Sequence, residues 1–65
     1  MRIKINGEAR DVTATTLAAL LRELDYEDLT VATALNQAFV RKTDRNRAHL
    51  RDGDAVEILT PRQGG

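Results

Sequence analysis

Few side chains in this sequence have a type and spacing that could do chemistry. The single histidine, His49, has no Cys, Asp or Glu at metal-ligand spacing around it, so a surface or half-buried ring is expected. Asp52-Gly53-Asp54 resembles a fragment of a calcium loop, but the ligand series does not continue. A tight turn is expected there. Asn6-Gly7-Glu8 offers one glycine and no lysine, which does not make a phosphate cradle. The cationic run holding Arg41, Lys42, Arg45, Arg47 and Arg51 contains no aromatic side chain on which a base could stack. It reads as a solvated connection. Cysteine is absent, which removes disulfides, thiol nucleophiles and thiolate metal ligands. The group left over is the α-carboxylate of Gly65.

A carboxylate is a poor acyl donor until one oxygen becomes a good leaving group, for example as a mixed anhydride with AMP. The chain has no nucleotide-binding motif, so a partner enzyme would have to supply ATP and perform the activation. The ending Pro61-Arg62-Gln63-Gly64-Gly65 suits a substrate for such an enzyme. Five extended residues reach at most ~17 Å, enough to carry a terminus into a recessed site. Glycines lack Cβ, fit a narrow channel and adopt unusual φ/ψ, while Pro61 stiffens the base of the tail. Ordering two glycines costs conformational entropy that docking of the body must offset. Leu59 and Phe39 are the candidate docking residues, Leu59 as an outward residue of the last strand and Phe39 with its facing open. A frayed end is the alternative reading of the same five residues.

The elements that would position this terminus can be read from apolar periodicity. Residues 1–5 alternate, with Ile3 and Ile5 inward, and Asn6-Gly7 is a strong signal for a type I′ hairpin turn. The returning strand, residues 8–12, would face Glu8 and Arg10 toward the core side and Val12 inward; an edge strand or a register-shifting bulge both fit. Leu17, Leu20, Leu21 and Leu24 fall on one helical face, predicting a helix from Thr16 to about Leu24 with a threonine cap. Residues 25–28 form an acidic connection without a helix-ending glycine. Residues 31–35 suit a short strand covered on much of both faces. Asn36-Gln37 suits a turn, and Phe39-Val40 begins another short strand. Arg41 to Arg51 reads as an irregular polar connection. Residues 55–60 form the last strand, with Val56 and Ile58 inward and Leu59 outward. One leucine-faced helix against one sheet gives a two-layer α+β domain. Its order suits the ubiquitin-like β-grasp: a mixed sheet of four to five strands on one helix, in which the last strand would run parallel to the first if the two are neighbours. Residues 1–60 would form the domain and 61–65 a flexible tail.

Size and composition narrow the function classes. A chain of 65 residues has room for one domain, and at this length only about 60% of the unfolded surface is buried. Ten basic residues balance ten acidic ones, which argues against a general nucleic-acid or membrane-surface binder. The alternating start is no signal peptide and no apolar run approaches membrane length. With no disulfides to staple so small a chain, a cytoplasmic location is expected.

The chain resembles the ThiS family of sulfur-carrier proteins of thiazole synthesis for thiamine. The likeness covers the whole length. It rests on the opening strand into Asn6-Gly7, Thr16-Leu17 and Leu20-Leu21, Ala34-Leu35-Asn36 with Phe39-Val40, and Asp52-Gly53-Asp54 with Val56-Glu57-Ile58. It ends in Gly64-Gly65, the most specific part being Pro61 to Gly65 after the last strand. The chain departs from the family by placing Asp25 where a helix-ending glycine is usual. The resemblance implies a β-grasp carrier, a protein cosubstrate that is not an enzyme and binds no cofactor itself. A ThiF-like enzyme would adenylate Gly65 with ATP. Sulfur from a persulfide, supplied through a cysteine desulfurase, would replace AMP and leave a thiocarboxylate for a ThiG-like thiazole synthase. Gly64 would give access, and Arg62 and Gln63 would line the partner channels. Neither nucleic acid nor membrane is an expected partner. Carriers of other pathways, such as the small subunit of molybdopterin synthase, share the fold and the diglycine. A ubiquitin-like modifier or a β-grasp interaction module with an idle tail also fits.

Overall fold

The computed structural model of the chain describes residues 1–60. The expected tail, residues 61–65, lies outside them. Among the described residues, five strands and one α-helix follow the order β1 (Arg2–Ile5), β2 (Glu8–Asp11), α1 (Leu17–Glu23), β3 (Ala32–Leu35), β4 (Ala38–Val40) and β5 (Ala55–Leu59). The sheet order is β2-β1-β5-β3-β4. β5 lies beside β1 and parallel to it; the other three pairings are antiparallel. This is the mixed β-grasp sheet on one helix that the element order predicts.

The β1–β2 hairpin has the unshifted register, Ile5 opposite Glu8 and Ile3 opposite Arg10. Both turn residues have positive φ, Asn6 at 52° and Gly7 at 85°, as a type I′ turn requires. No bulge is needed, because all four residues of β2 are exposed at the sheet edge and the next inward position, Val12, is buried. Asn36 and Gln37 repeat the conformation at 50° and 72° between β3 and β4. Position 37 does so without glycine, a conformation that L side chains resist.

The helix starts at Thr16, whose hydroxyl accepts the Ala19 N–H at 3.1 Å. At its other end the Tyr26 N–H donates to Leu21 O at 2.7 Å and the Asp25 N–H to Arg22 O at 3.2 Å. That pair of bonds is a Schellman closure, with Asp25 at φ 64° in the place glycine usually takes. Leu17, Leu20 and Leu21 pack onto Ile3, Ile5, Val56 and Ile58 of the sheet. The Glu23 carboxylate reaches back to the loop before the helix, accepting the backbone N–H groups of Thr13 and Ala14 and the Thr13 hydroxyl. These bonds, the Thr13 N–H first, hold its pKa below the ordinary glutamate value against the raising effect of desolvation.

Two expectations need correction. β3 is covered on one face only. Thr33 points into the core, Ala32 is exposed and Ala34 half-buried, because among the described residues the helix layer lies on one face of the sheet only. The segment Arg41 to Arg51 is also not an irregular solvated connection. Lys42–Arg47 forms a 3₁₀ helix, and the chain beyond it bonds to the helix entry through Leu17 N–H to Ala48 O and Leu50 N–H to Thr15 O, both 2.9 Å. Leu50 is thereby buried. Arg45, 9% exposed, donates from Nε to Thr33 Oγ1 at 3.1 Å and from Nη2 to Val31 O at 2.6 Å. Periodicity misses the segment because a 3₁₀ helix of six residues has no stretch long enough to show a face.

Candidate functional site

β5 is the central strand of the sheet and the last element before residues 61–65 in the sequence. It is gripped by asparagines from both type I′ turns. Asn36 accepts the Ala55 N–H on Oδ1 at 2.9 Å and donates from Nδ2 to Asp54 Oδ1 at 3.0 Å. Asn6 accepts the Ile58 N–H on Oδ1 at 2.8 Å and donates from Nδ2 to Ile58 O at 3.1 Å. β5 is therefore fixed near both of its ends before the chain reaches Thr60.

The outward face of the sheet beside this strand carries two large apolar side chains, with the exposed Glu57 of β5 on the same face. Strand alternation puts Leu59 outward, and it is 68% exposed. Phe39, whose facing periodicity leaves open, is 72% exposed. The register gives both the same face, since Leu59 sits opposite Ala32 and Phe39 opposite Ala34, with Ala34 in turn opposite Glu57. The two large side chains thus flank a low pair of alanines. The segment 27–32, with Leu29 52% exposed, encloses with Phe39, Lys42 and Arg45 an open groove of about 360 Å³. A shallower groove of about 320 Å³ runs along Thr30, Val31 and Ala32 to Leu59 and Thr60. Phe39 and Leu59 exposed on one sheet face, with Leu29 lining the groove beside Phe39, make this face a candidate protein-docking surface.

Of the candidate residues, Leu59 and Phe39 are therefore together on one exposed face. Arg62, Gln63, Gly64 and Gly65 lie outside the described residues. Leu29 and the alanine floor were not singled out by sequence reasoning. Leu29 follows four polar or aromatic residues, and no apolar spacing announces its place; its N–H donates to Tyr26 O at 3.0 Å.

The other candidate groups are used within the fold. His49 is exposed, with Nδ1 3.2 Å from Arg47 O. Asp52 accepts the Arg2 N–H at 2.6 Å and Asp54 the Arg51 N–H at 2.8 Å, so the turn carboxylates hold backbone. Of the cationic run, Arg47 and Arg41 pair with Asp44 at 2.8 and 3.8 Å. Among the described residues no group of three or more His, Cys, Asp or Glu could hold a metal ion. Nor is any helix there long and apolar enough to cross a membrane.

A model of the ThiS family matches residues 3–65. The sulfur carrier protein ThiS of Thermus thermophilus is 38% identical over 61 residues, which is 94% of this chain and 95% of that protein. A thiazole synthase of Paramagnetospirillum magneticum is 38% identical over 66 residues, spanning all of this chain but only 20% of that enzyme. The crystal structure of the thiamine biosynthesis protein ThiS from Geobacter metallireducens superposes with a TM-score of 0.84 at 28% identity over the whole of both chains. The solution structure of a Geobacter metallireducens thiamine biosynthesis protein gives 0.82, also at 28% identity, covering 88% of that chain.

Proposed function

Because the chain belongs to the ThiS family, we propose that it is a sulfur carrier in thiamine biosynthesis whose reactive group is the C-terminal carboxylate of Gly65. The observation that carries this reading is the extent of the family match, which runs through Gly64 and Gly65. The exposed face with Leu59 and Phe39 supports it, since a terminus presented to an enzyme needs a body that docks.

The chemistry follows from what a carboxylate needs. In the active site of a ThiF-like partner a Gly65 oxygen attacks the α-phosphorus of ATP, and pyrophosphate leaves. The acyl adenylate then has AMP as leaving group. The outer sulfur of a persulfide, charged by a cysteine desulfurase, attacks the acyl carbon and expels AMP. A thiol cleaves the resulting S–S bond, is itself oxidised to a disulfide, and leaves the thiocarboxylate on Gly65. ATP is bound by the partner; this chain supplies the acyl group and acts as cosubstrate. Gly64, lacking Cβ, lets the terminus enter a narrow channel, and Arg62 and Gln63 contact its walls. A thiazole synthase is the acceptor, a reading supported by the enzyme of P. magneticum, one-fifth of which resembles this entire chain. The reaction is assigned to the cytoplasm, where ATP is available.

The test is removal of the reactive end. Deleting Gly65, or appending one residue after it, should abolish sulfur transfer while the circular dichroism spectrum stays that of the parent chain. Transfer that survives either change would refute the assignment of Gly65.

A further inference from the structure

The Asn6 side chain makes contacts that its turn does not require. A type I′ turn needs positive φ at position 6, which glycine supplies as well as asparagine. Asn6 instead places both ends of its amide on one residue of β5, accepting the Ile58 N–H at 2.8 Å and donating to Ile58 O at 3.1 Å. The parallel β1–β5 ladder runs only to Ile5 opposite Val56, and the Asn6 N–H adds a bond to Val56 O at 2.9 Å. Beyond that point β1 turns away. The side-chain amide then stands where the next backbone of β1 would have been, and satisfies both groups of Ile58. On the other side of β5, Ile58 pairs with Thr33 and Leu59 with Ala32. With Asn6 in place, β5 is held on both sides to within two residues of Thr60. Without it, the last residues of β5 would hang from β3 alone.

We propose that Asn6 is a positioning residue for the reaction at Gly65: its amide clamps Ile58 and so fixes the end of β5, the last element before the reactive terminus in the sequence. This rests on the carrier reading above. The terminus can enter a partner's active site after docking only if its base is already held, and each residue that frays must be ordered again at that step. Loss of the clamp therefore acts on the catalytic step, while Leu59 keeps its place on the docking face through its pairing with Ala32 of β3.

Asn6→Gly keeps the turn and removes both bonds. Asn6→Asp keeps the acceptor for the Ile58 N–H and loses the donor to Ile58 O. In steady-state thiocarboxylation by the adenylating partner, at a temperature where every variant is fully folded, kcat should fall about tenfold for Asn6→Gly, equivalent to ~1.4 kcal/mol. It should fall about threefold for Asn6→Asp, with KM within twofold of the parent for both. Hydrogen exchange should speed at Ile58 relative to Val56 in Asn6→Gly. An unchanged kcat would overturn the proposal, as would a loss confined to KM, which would make Asn6 part of the docking surface. If the parent chain itself accepts no sulfur, the carrier reading fails separately. Exchange at Ile58 then decides the clamp: an unchanged ratio to Val56 would show that Asn6 holds nothing.

Discussion

Replacing Leu59 with aspartate tests whether the open sheet face is the docking surface. Full burial of a leucine is worth ~1.5–3 kcal/mol. Leu59 is 68% exposed in the free chain, so about two-thirds of that value, ~1–2 kcal/mol, is available to a partner that covers it. Aspartate forfeits this gain and forces a carboxylate out of water, at a further ~1–3 kcal/mol. The sum of ~2–5 kcal/mol corresponds to roughly a thirty- to four-thousand-fold loss of affinity. The fold should tolerate the change, because an exposed residue at a strand end costs within about 1 kcal/mol on strand propensity. The assay is calorimetric titration of the full chain into a ThiF-like adenylating enzyme without ATP, with thermal unfolding as control. Phe39→Ala on the same face should weaken binding in the same experiment. Unchanged affinity for Leu59→Asp, with the fold intact, would show that the partner docks elsewhere.

Three further outcomes concern the scaffold. Asp25→Gly should raise stability by about 1 kcal/mol in denaturant unfolding, because left-handed strain is relieved and a negative charge leaves the helix C-terminus, less the entropy glycine adds to the unfolded chain. Arg45→Ala should lower stability by about 2–3 kcal/mol, since Val31 O loses its buried donor and Thr33 Oγ1 loses one of its bonds. Glu23 has a depressed native pKa, so its contribution is full above the unfolded value of about 4.3 and disappears as pH falls through the lower native one. Glu23→Gln should therefore flatten the acid limb of the stability–pH curve below about pH 4.3, and an acid limb unchanged in that variant would contradict the role given to its bonds with Thr13 and Ala14.

The parts of the fold legible in the sequence were those with a period or a forced φ. Ile3 and Ile5, the leucines of the helix face, Val56 and Ile58, and Asn6-Gly7 each announce their place, and the order they give suits a β-grasp; the pairing of β5 with β1 is read from the register. Leu59 was legible for the same reason, as the odd position of an alternating strand. What stayed hidden depends on partners distant in sequence. Arg45 is buried because Val31 and Thr33 supply acceptors, which nothing around residue 45 reveals. Leu50 is buried because residues 48–50 bond to 15–17. The facing of Phe39 needed the register to Ala34, and the clamp on Ile58 needed the point at which β1 turns away. The family likeness, by contrast, was legible at once in the joint order of the turns, the helix start and the terminal diglycine.

The most direct measurement of the central claim is the intact mass of the chain after incubation with ATP, a ThiF-like adenylating enzyme and a persulfide sulfur donor. Conversion of the carboxylate to a thiocarboxylate should add about 16 Da, the mass difference between sulfur and oxygen, and fragmentation should locate it on Gly65. A mass that stays unchanged with an active partner and donor, or a gain located on any other residue, would contradict the account.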